Sequence, residues 1–170
     1  MIKFDKEIDL TPKEKEMIAR MVETTGKIYN DSGELHPTFF ITNSKIDQMN
    51  LISGTFQDDD EKRAFVGTVK RMIVEMKADG CLSVMDSWTL PPESAQDFMK
   101  NRDKYPTVSD HPDAYDCVFF MYENRLGTWV VSCKSNPKAK TVDLENLEFK
   151  RADGMQGLMS NFIHIKEILQ

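Results

Sequence analysis

Cysteine is scarce in this 170-residue chain, and the three present, Cys81, Cys117 and Cys133, stand singly inside apolar runs. There is no Cys-x-x-Cys pair and no even set of spaced cysteines, which excludes a zinc ribbon or a disulfide framework and leaves reduced core thiols. Glycine is also sparse, at 8 residues, and none of it forms Gly-x-Gly-x-x-Gly, Gly-x4-Gly-Lys-Ser/Thr or Gly-x-Ser-x-Gly. Nucleotide-binding loops and the nucleophile turn of the α/β-hydrolases need those glycines. His-Glu-x-x-His is missing as well. No apolar stretch approaches the roughly 18 residues of a membrane span. The opening MIKFDKEIDL is charged throughout and lacks the apolar segment of a secretory leader. A cytoplasmic protein without membrane contact is expected. A basic surface is lacking too: the net charge is −6 and the pI about 5.1, so the chain is not expected to coat nucleic acid, whose phosphates demand neutralising cations.

What is present describes a folded chain. Hydrophobic residues make up 40% and charged residues 29%, the balance of a globular protein, and the length predicts one domain over 1–170. A helix is predicted from LTPKEKEMIARMVETTGKIY, with Thr11 as cap, Pro12 at its first position, Glu14 completing a capping box and Met17, Ile18, Met21 and Val22 on one face. HPTFFIT reads as a short strand, and 43–56 carries no clear period. A second helix is predicted over 58–79, acids first, with Phe65, Val69, Met72, Ile73 and Met76 on one side and Gly80 as its stop.

Strands are predicted at 81–88, 115–123, 127–135 and 142–150, the middle two forming a hairpin across Asn-Arg-Leu. The last strand changes phase near Glu145 and Asn146, which suggests a bulge. The connection 90–106, bracketed by prolines, reads as a long loop with a short helix. A closing helix, with Met155, Leu158, Met159 and Phe162 on one side, is predicted over 154–169. The order α-β-α-β-(α)-β-β-β-α predicts an α+β fold, a mainly antiparallel sheet of about four to five strands covered by helices.

Two stretches concentrate chemical groups. TVSDHPDAYD, 107–116, offers Asp110, His111, Asp113 and Asp116, which can move protons or hold a hard cation. The reading preferred for it is a structural turn, since Ser and Asp before Pro form turns. VMDSW ends a strand with Asp86 and Trp88 before a Pro-Pro loop, at a sheet rim where loops build sites. Asp86, His111 and Asp113 are the catalytic candidates, and Asp58, Asp59, Asp60, Trp88 and Asp110 the binding candidates. The acids at 58–61 also suit a helix start by charge alone. His36 and His164 stand alone. No cofactor and no metal site is expected. Pro112 holds His111 in extended backbone, which places it at the mouth of strand 115–123 with Asp86 as the acid it would meet there.

CLSVMDSWTL, followed after a proline-containing loop by SDHPDAYDCVFFMYENRLGTW, resembles a family of small uncharacterised proteins of bacterial and phage genomes. In that family the strand ends in Ser-Glu-Ala-Trp and the loop reads Ser-Glu-His-Pro-Asp-Arg. Met85, Asp86, Ser87 and Trp88 occupy the first pattern here, and Ser109, Asp110, His111, Pro112, Asp113 and Ala114 the second; Ala114 departs from the basic residue usual there. The match spans roughly residues 60 to 135 and implies a phage or mobile-element setting, hence an accessory protein of the bacterial or host-cell cytoplasm, without implying a mechanism. The acidic charge and the missing catalytic motifs favour binding to a protein partner, for instance to block a host system. The alternative is a hydrolase-like enzyme with a His/Asp site at the sheet rim. The oligomeric state is left open.

Overall fold

The structure, a computed structural model, describes residues 1–5, 10–152 and 163. Helix α1, Pro12–Ser32, starts on the expected capping box: Glu14 N–H donates to Thr11 Oγ1 at 3.2 Å, and the Glu14 carboxylate accepts from Thr11 N–H at 2.9 Å. Such a cap stabilises a helix by about 1 kcal/mol. The same carboxylate accepts from Tyr122 Oη at 3.1 Å and Asn124 Nδ2 at 2.9 Å, which pins the helix start to the sheet. Burial works against its charge, but the hydrogen bonds from Asn124, Thr11 and Tyr122 outweigh it and hold the Glu14 carboxyl below its ordinary range. The helix closes at Gly33, whose φ of 79° and tight seat against the Pro137 carbonyl, 2.7 Å from where a Cβ would stand, both demand glycine.

One continuous sheet carries the rest. Its strands are β1 (Lys3–Phe4), β2 (Thr38–Asn43), β3 (Gln48–Ser53), β4 (Gly80–Thr89), β5 (Tyr115–Asn124), β6 (Gly127–Asn136), β7 (Thr141–Val142) and β8 (Glu148–Arg151). The order across the sheet is β1-β8-β6-β5-β4-β2-β3, with β7 also on β6. All pairings are antiparallel except β1 with β8. Alternation sends side chains to two cores. Phe40, Leu82, Val84, Val118, Phe120 and Trp129 meet the apolar stripe of α1 on one face. Phe39, Ile41 and Cys81 meet Val66, Val69 and Ile73 of α2, Asp59–Glu75, on the other. A third helix, α3 (Pro92–Lys100), lies in the connection between β4 and β5.

This overturns the expected four to five strands under helices. The described residues hold eight strands and three helices, mostly sheet, within an α+β class. Three elements account for the difference. β1 is two residues long and takes its form from β8. β3 alternates only weakly, because as an edge strand it buries neither face fully. The expected strand 142–150 is broken: β7 and β8 both pair β6, but the register slips by three residues between them, and Asn146 takes a φ of 56° in the intervening turn.

Helix α2 ends at Glu75 rather than running to 79. Lys77, at φ 50°, takes the left-handed position, and Asn43 Nδ2 donates to the Met76 and Lys77 carbonyls. Gly80 instead opens β4 and packs against Tyr122 and Thr42. The expected helix 154–169, with His164, lies outside the described residues, of which Ile163 alone is placed, buried in the α2-side core.

Candidate functional site

The loop 107–114 closes upon itself. Asp110 caps a single 3-10 turn, Val108–Asp110, accepting from Thr107 N–H at 2.9 Å and Thr107 Oγ1 at 2.8 Å. These bonds hold its carboxyl below the ordinary aspartate value. His111 is 4% exposed, against Tyr105 at 4.6 Å between ring centres and edge-on to Phe98. Its Nδ1 lies 3.1 Å from the Asp113 N–H, which can only donate, so Nδ1 accepts and Nε2 carries the proton. That proton goes to Asp97 Oδ2, at 3.1 Å. Asp113 in turn accepts from Ser94 Oγ at 2.7 Å. Both ring nitrogens are occupied and the ring is enclosed. The arrangement ties α3 to the start of β5.

Asp86 is not among the partners of His111. The expected pairing failed because His111 turns toward α3, whereas Asp86 shares the α1-side register of β4 with Val84 and Leu82. The histidine expected at the mouth of strand 115–123 is buried against α3. Its acid, Asp97, was missed, as were Ser94 and Tyr105. Ser94 and Phe98, four residues apart and buried on one face of α3, were the available signal that this helix docks at all.

A different group forms at the end of β4. Asp86 is exposed as a residue, but its Oδ2 turns inward to accept from Leu35 N–H at 2.6 Å. Burial raises its carboxyl above the ordinary value against that hydrogen bond, and the neighbouring Asp116 and Glu34 charges add to the rise. Trp88 is opposite Asp116 across the β4–β5 ladder and remains 46% exposed. The two border an open groove of about 550 Å³ with Tyr115, Ser135, Pro137 and Lys138. Tyr29 of α1 has a buried hydroxyl near these carboxylates. This hydroxyl feels the Asp86 and Asp116 charges and reaches toward Ser135, yet finds no hydrogen bond of ordinary geometry among the described residues.

The remaining candidates have structural partners. Asp58 is the N-cap of α2, accepting from Glu61 N–H at 2.8 Å, and Glu61 accepts from Gln57 N–H at 2.7 Å. Asp59 and Asp60 fill the first turn, where the helix dipole favours them. The cysteines are free and buried, and burial pushes the thiols up, Cys117 to about 11 and Cys133 to about 12, which makes them poor nucleophiles. Among the described residues no group of three or more His, Cys, Asp or Glu is placed to hold a metal ion. None of the described helices is long and apolar enough to cross a membrane. Comparison with protein-family models, curated proteins and solved structures finds no match to this chain.

Proposed function

We propose that this chain is a non-catalytic binding protein that receives a protein partner on the rim formed by Trp88, Asp86 and Asp116. The observation that carries the reading is the half-open indole that borders an open groove together with the Asp116 carboxylate. Aromatic anchors flanked by polar groups are where interfaces concentrate binding energy. A cytoplasmic accessory role belongs to the same proposal, supported by the resemblance of residues 85–88 and 109–114 to bacterial and phage proteins. The hydrolase alternative draws no support from His111, whose two nitrogens are already engaged inside the protein.

The test is a quantitative binding comparison. Proteins captured by the wild type are purified and their affinities measured against Trp88→Ala and Asp116→Lys, both at exposed or half-exposed positions that leave the core intact. Loss of an anchor residue should weaken binding by about 2 kcal/mol, roughly thirtyfold. A partner indifferent to both substitutions overturns the rim. Turnover of an ester or phosphoester that His111→Gln abolishes, in a variant of wild-type fold, overturns the non-catalytic reading.

A further inference from the structure

The two edges of the sheet are finished differently. At one edge β1 offers only two residues, one of them a lysine, which is how natural sheets blunt an edge. At the other, β3 presents six residues, Gln-Met-Asn-Leu-Ile-Ser, with no charge and no proline. Met49 is 36% and Leu51 46% exposed, and Ile46 just before them is 65% exposed.

The register shows which backbone groups are open. Gly54 N–H donates to the Pro37 carbonyl at 3.2 Å, so residues 37 and 54 form a hydrogen-bonded pair. Bonded and non-bonded pairs alternate along an antiparallel ladder. Phe39 with Ile52, Ile41 with Asn50 and Asn43 with Gln48 are therefore the bonded pairs. Thr38 with Ser53 is a non-bonded one, and there the side chains are close enough for Thr38 Oγ1 to reach Ser53 Oγ at 3.1 Å. Met49, Leu51 and Ser53 consequently turn their N–H and C=O groups away from β2, toward an edge that no other described strand pairs.

We infer that β3 is a homodimerisation edge, pairing antiparallel with the β3 of a second copy about a two-fold axis at Leu51. The open residues 49, 51 and 53 are symmetric about position 51, so this centre makes three bonded pairs: Leu51 with its own mate, and Met49 with Ser53 twice. Centring on Asn50 leaves two such pairs inside the strand. Centring on Met49 calls on Asp47, whose φ of 50° has left extended backbone. The Leu51 register is the one that satisfies the edge.

A second copy also suits the charges. In a chain of net charge −6, self-association is opposed wherever acids meet acids, and this strand carries none. Lys45 stands just before β3, and the acidic turn Asp58–Glu61 just after it. Antiparallel pairing brings the lysine of one copy to the end of the strand where the acids of the other begin. This gives Asp58, Asp59 and Asp60 an external role beyond their part in α2, and it does not depend on the Trp88 rim.

Sedimentation velocity at about 200 µM should show a dimer, and Leu51→Lys, which sets two like charges on side chains whose Cα atoms stand about 5.5 Å apart across the axis, should weaken it at least tenfold with an unchanged circular dichroism spectrum. Leu51→Cys, treated with a mild oxidant, should give a covalent dimer, since bonded pairs place Cα atoms within disulfide reach, whereas Met49→Cys alone should not. The native cysteines, all buried, do not contribute. A monomer at that concentration overturns the inference. So does a dimer that survives Leu51→Lys in a folded protein, or cross-linking through Met49→Cys as efficient as through Leu51→Cys. Retention of rim-dependent partner binding by monomeric Leu51→Lys separates the two proposals.

Discussion

The loop 107–114 and the end of β4 hold similar side chains and leave them in opposite states. Around His111, each group has found a complement: Asp97 takes the ring proton, the Asp113 N–H takes the ring lone pair, and Ser94 satisfies Asp113. Around Trp88, the Asp116 charge disfavours that of Asp86, an indole is half open, and the buried Tyr29 hydroxyl finds no hydrogen bond of ordinary geometry among the described residues. The denser cluster of reactive residue types is thus the structural one. A satisfied network lowers the free energy of the isolated fold and has nothing left to offer a ligand, whereas unmet polar groups cost stability that an incoming partner can return.

The sharpest way to break this contrast is His111→Ala. The substitution removes both ring hydrogen bonds, leaves Asp113 N–H without its acceptor, and empties a site packed by Tyr105 and Phe98. A loss of about 3 kcal/mol is expected from the cavity and the lost bonds together. Denaturant unfolding followed by circular dichroism measures it. The emission of the two tryptophans, Trp88 and Trp129, should stay at its wild-type position in the folded variant. A loss below about 1 kcal/mol would mean the loop does not depend on its histidine.

The helices and the central hairpin could be read in the chain because their signals are local. Thr11 and Glu14 act within one turn, Asp58 likewise, and the runs 115–124 and 127–136 are apolar enough to require burial wherever they go. The edge strands could not be read so. β3 is a strand because β2 lies beside it, and β1 because β8 does; neither buries enough of its own side chains to show a period. The site divides in the same way. Asp86 and Trp88 were recognisable as the end of a strand. Asp97 was not recognisable as the partner of His111, because that contact depends on how α3 is turned, and nothing within the loop specifies it.

A smaller effect refines the description of the loop as a brace. Asp97→Ala removes the acceptor of the His111 Nε2 proton, and with it an exposed bond from Asn101 Nδ2 at 2.8 Å, but leaves the ring, its stacking and its bond from Asp113 in place. The ring proton is then left to whatever water can reach a nearly enclosed site. A loss of about 1 kcal/mol is expected, a third of the His111→Ala effect. Thermal unfolding of the two single variants and the double variant gives the coupling directly. The double variant should cost little more than His111→Ala, since the Asp97 contribution runs through the ring. Additive losses would place the Asp97 contribution in its bond from Asn101 and not in the ring.

The smallest effect comes from the rim and has the opposite sign. Asp86 is raised by burial, against the hydrogen bond from Leu35 and with help from the Asp116 and Glu34 charges. The folded chain therefore keeps a proton on this carboxyl to higher pH than the unfolded chain, whose aspartates follow the ordinary value of 3.8. Below that value both states are protonated and the site costs nothing. As pH rises through the interval between the unfolded and folded values, stability falls, and above it the full penalty of a charged Asp86 is present. Asp86→Asn stays neutral at every pH and keeps an oxygen to accept from Leu35 N–H. At neutral pH the variant should be more stable than the wild type by a few tenths of a kcal/mol, a small gain because the residue is exposed and water screens its charge. Below pH 3.8 the two proteins should unfold at the same denaturant concentration. The loop has no such reserve, since removing any of its partners lowers stability. A wild type more stable than Asp86→Asn at neutral pH would show that the charged carboxylate is satisfied within the fold, as the groups around His111 are, and would remove the difference between the two regions.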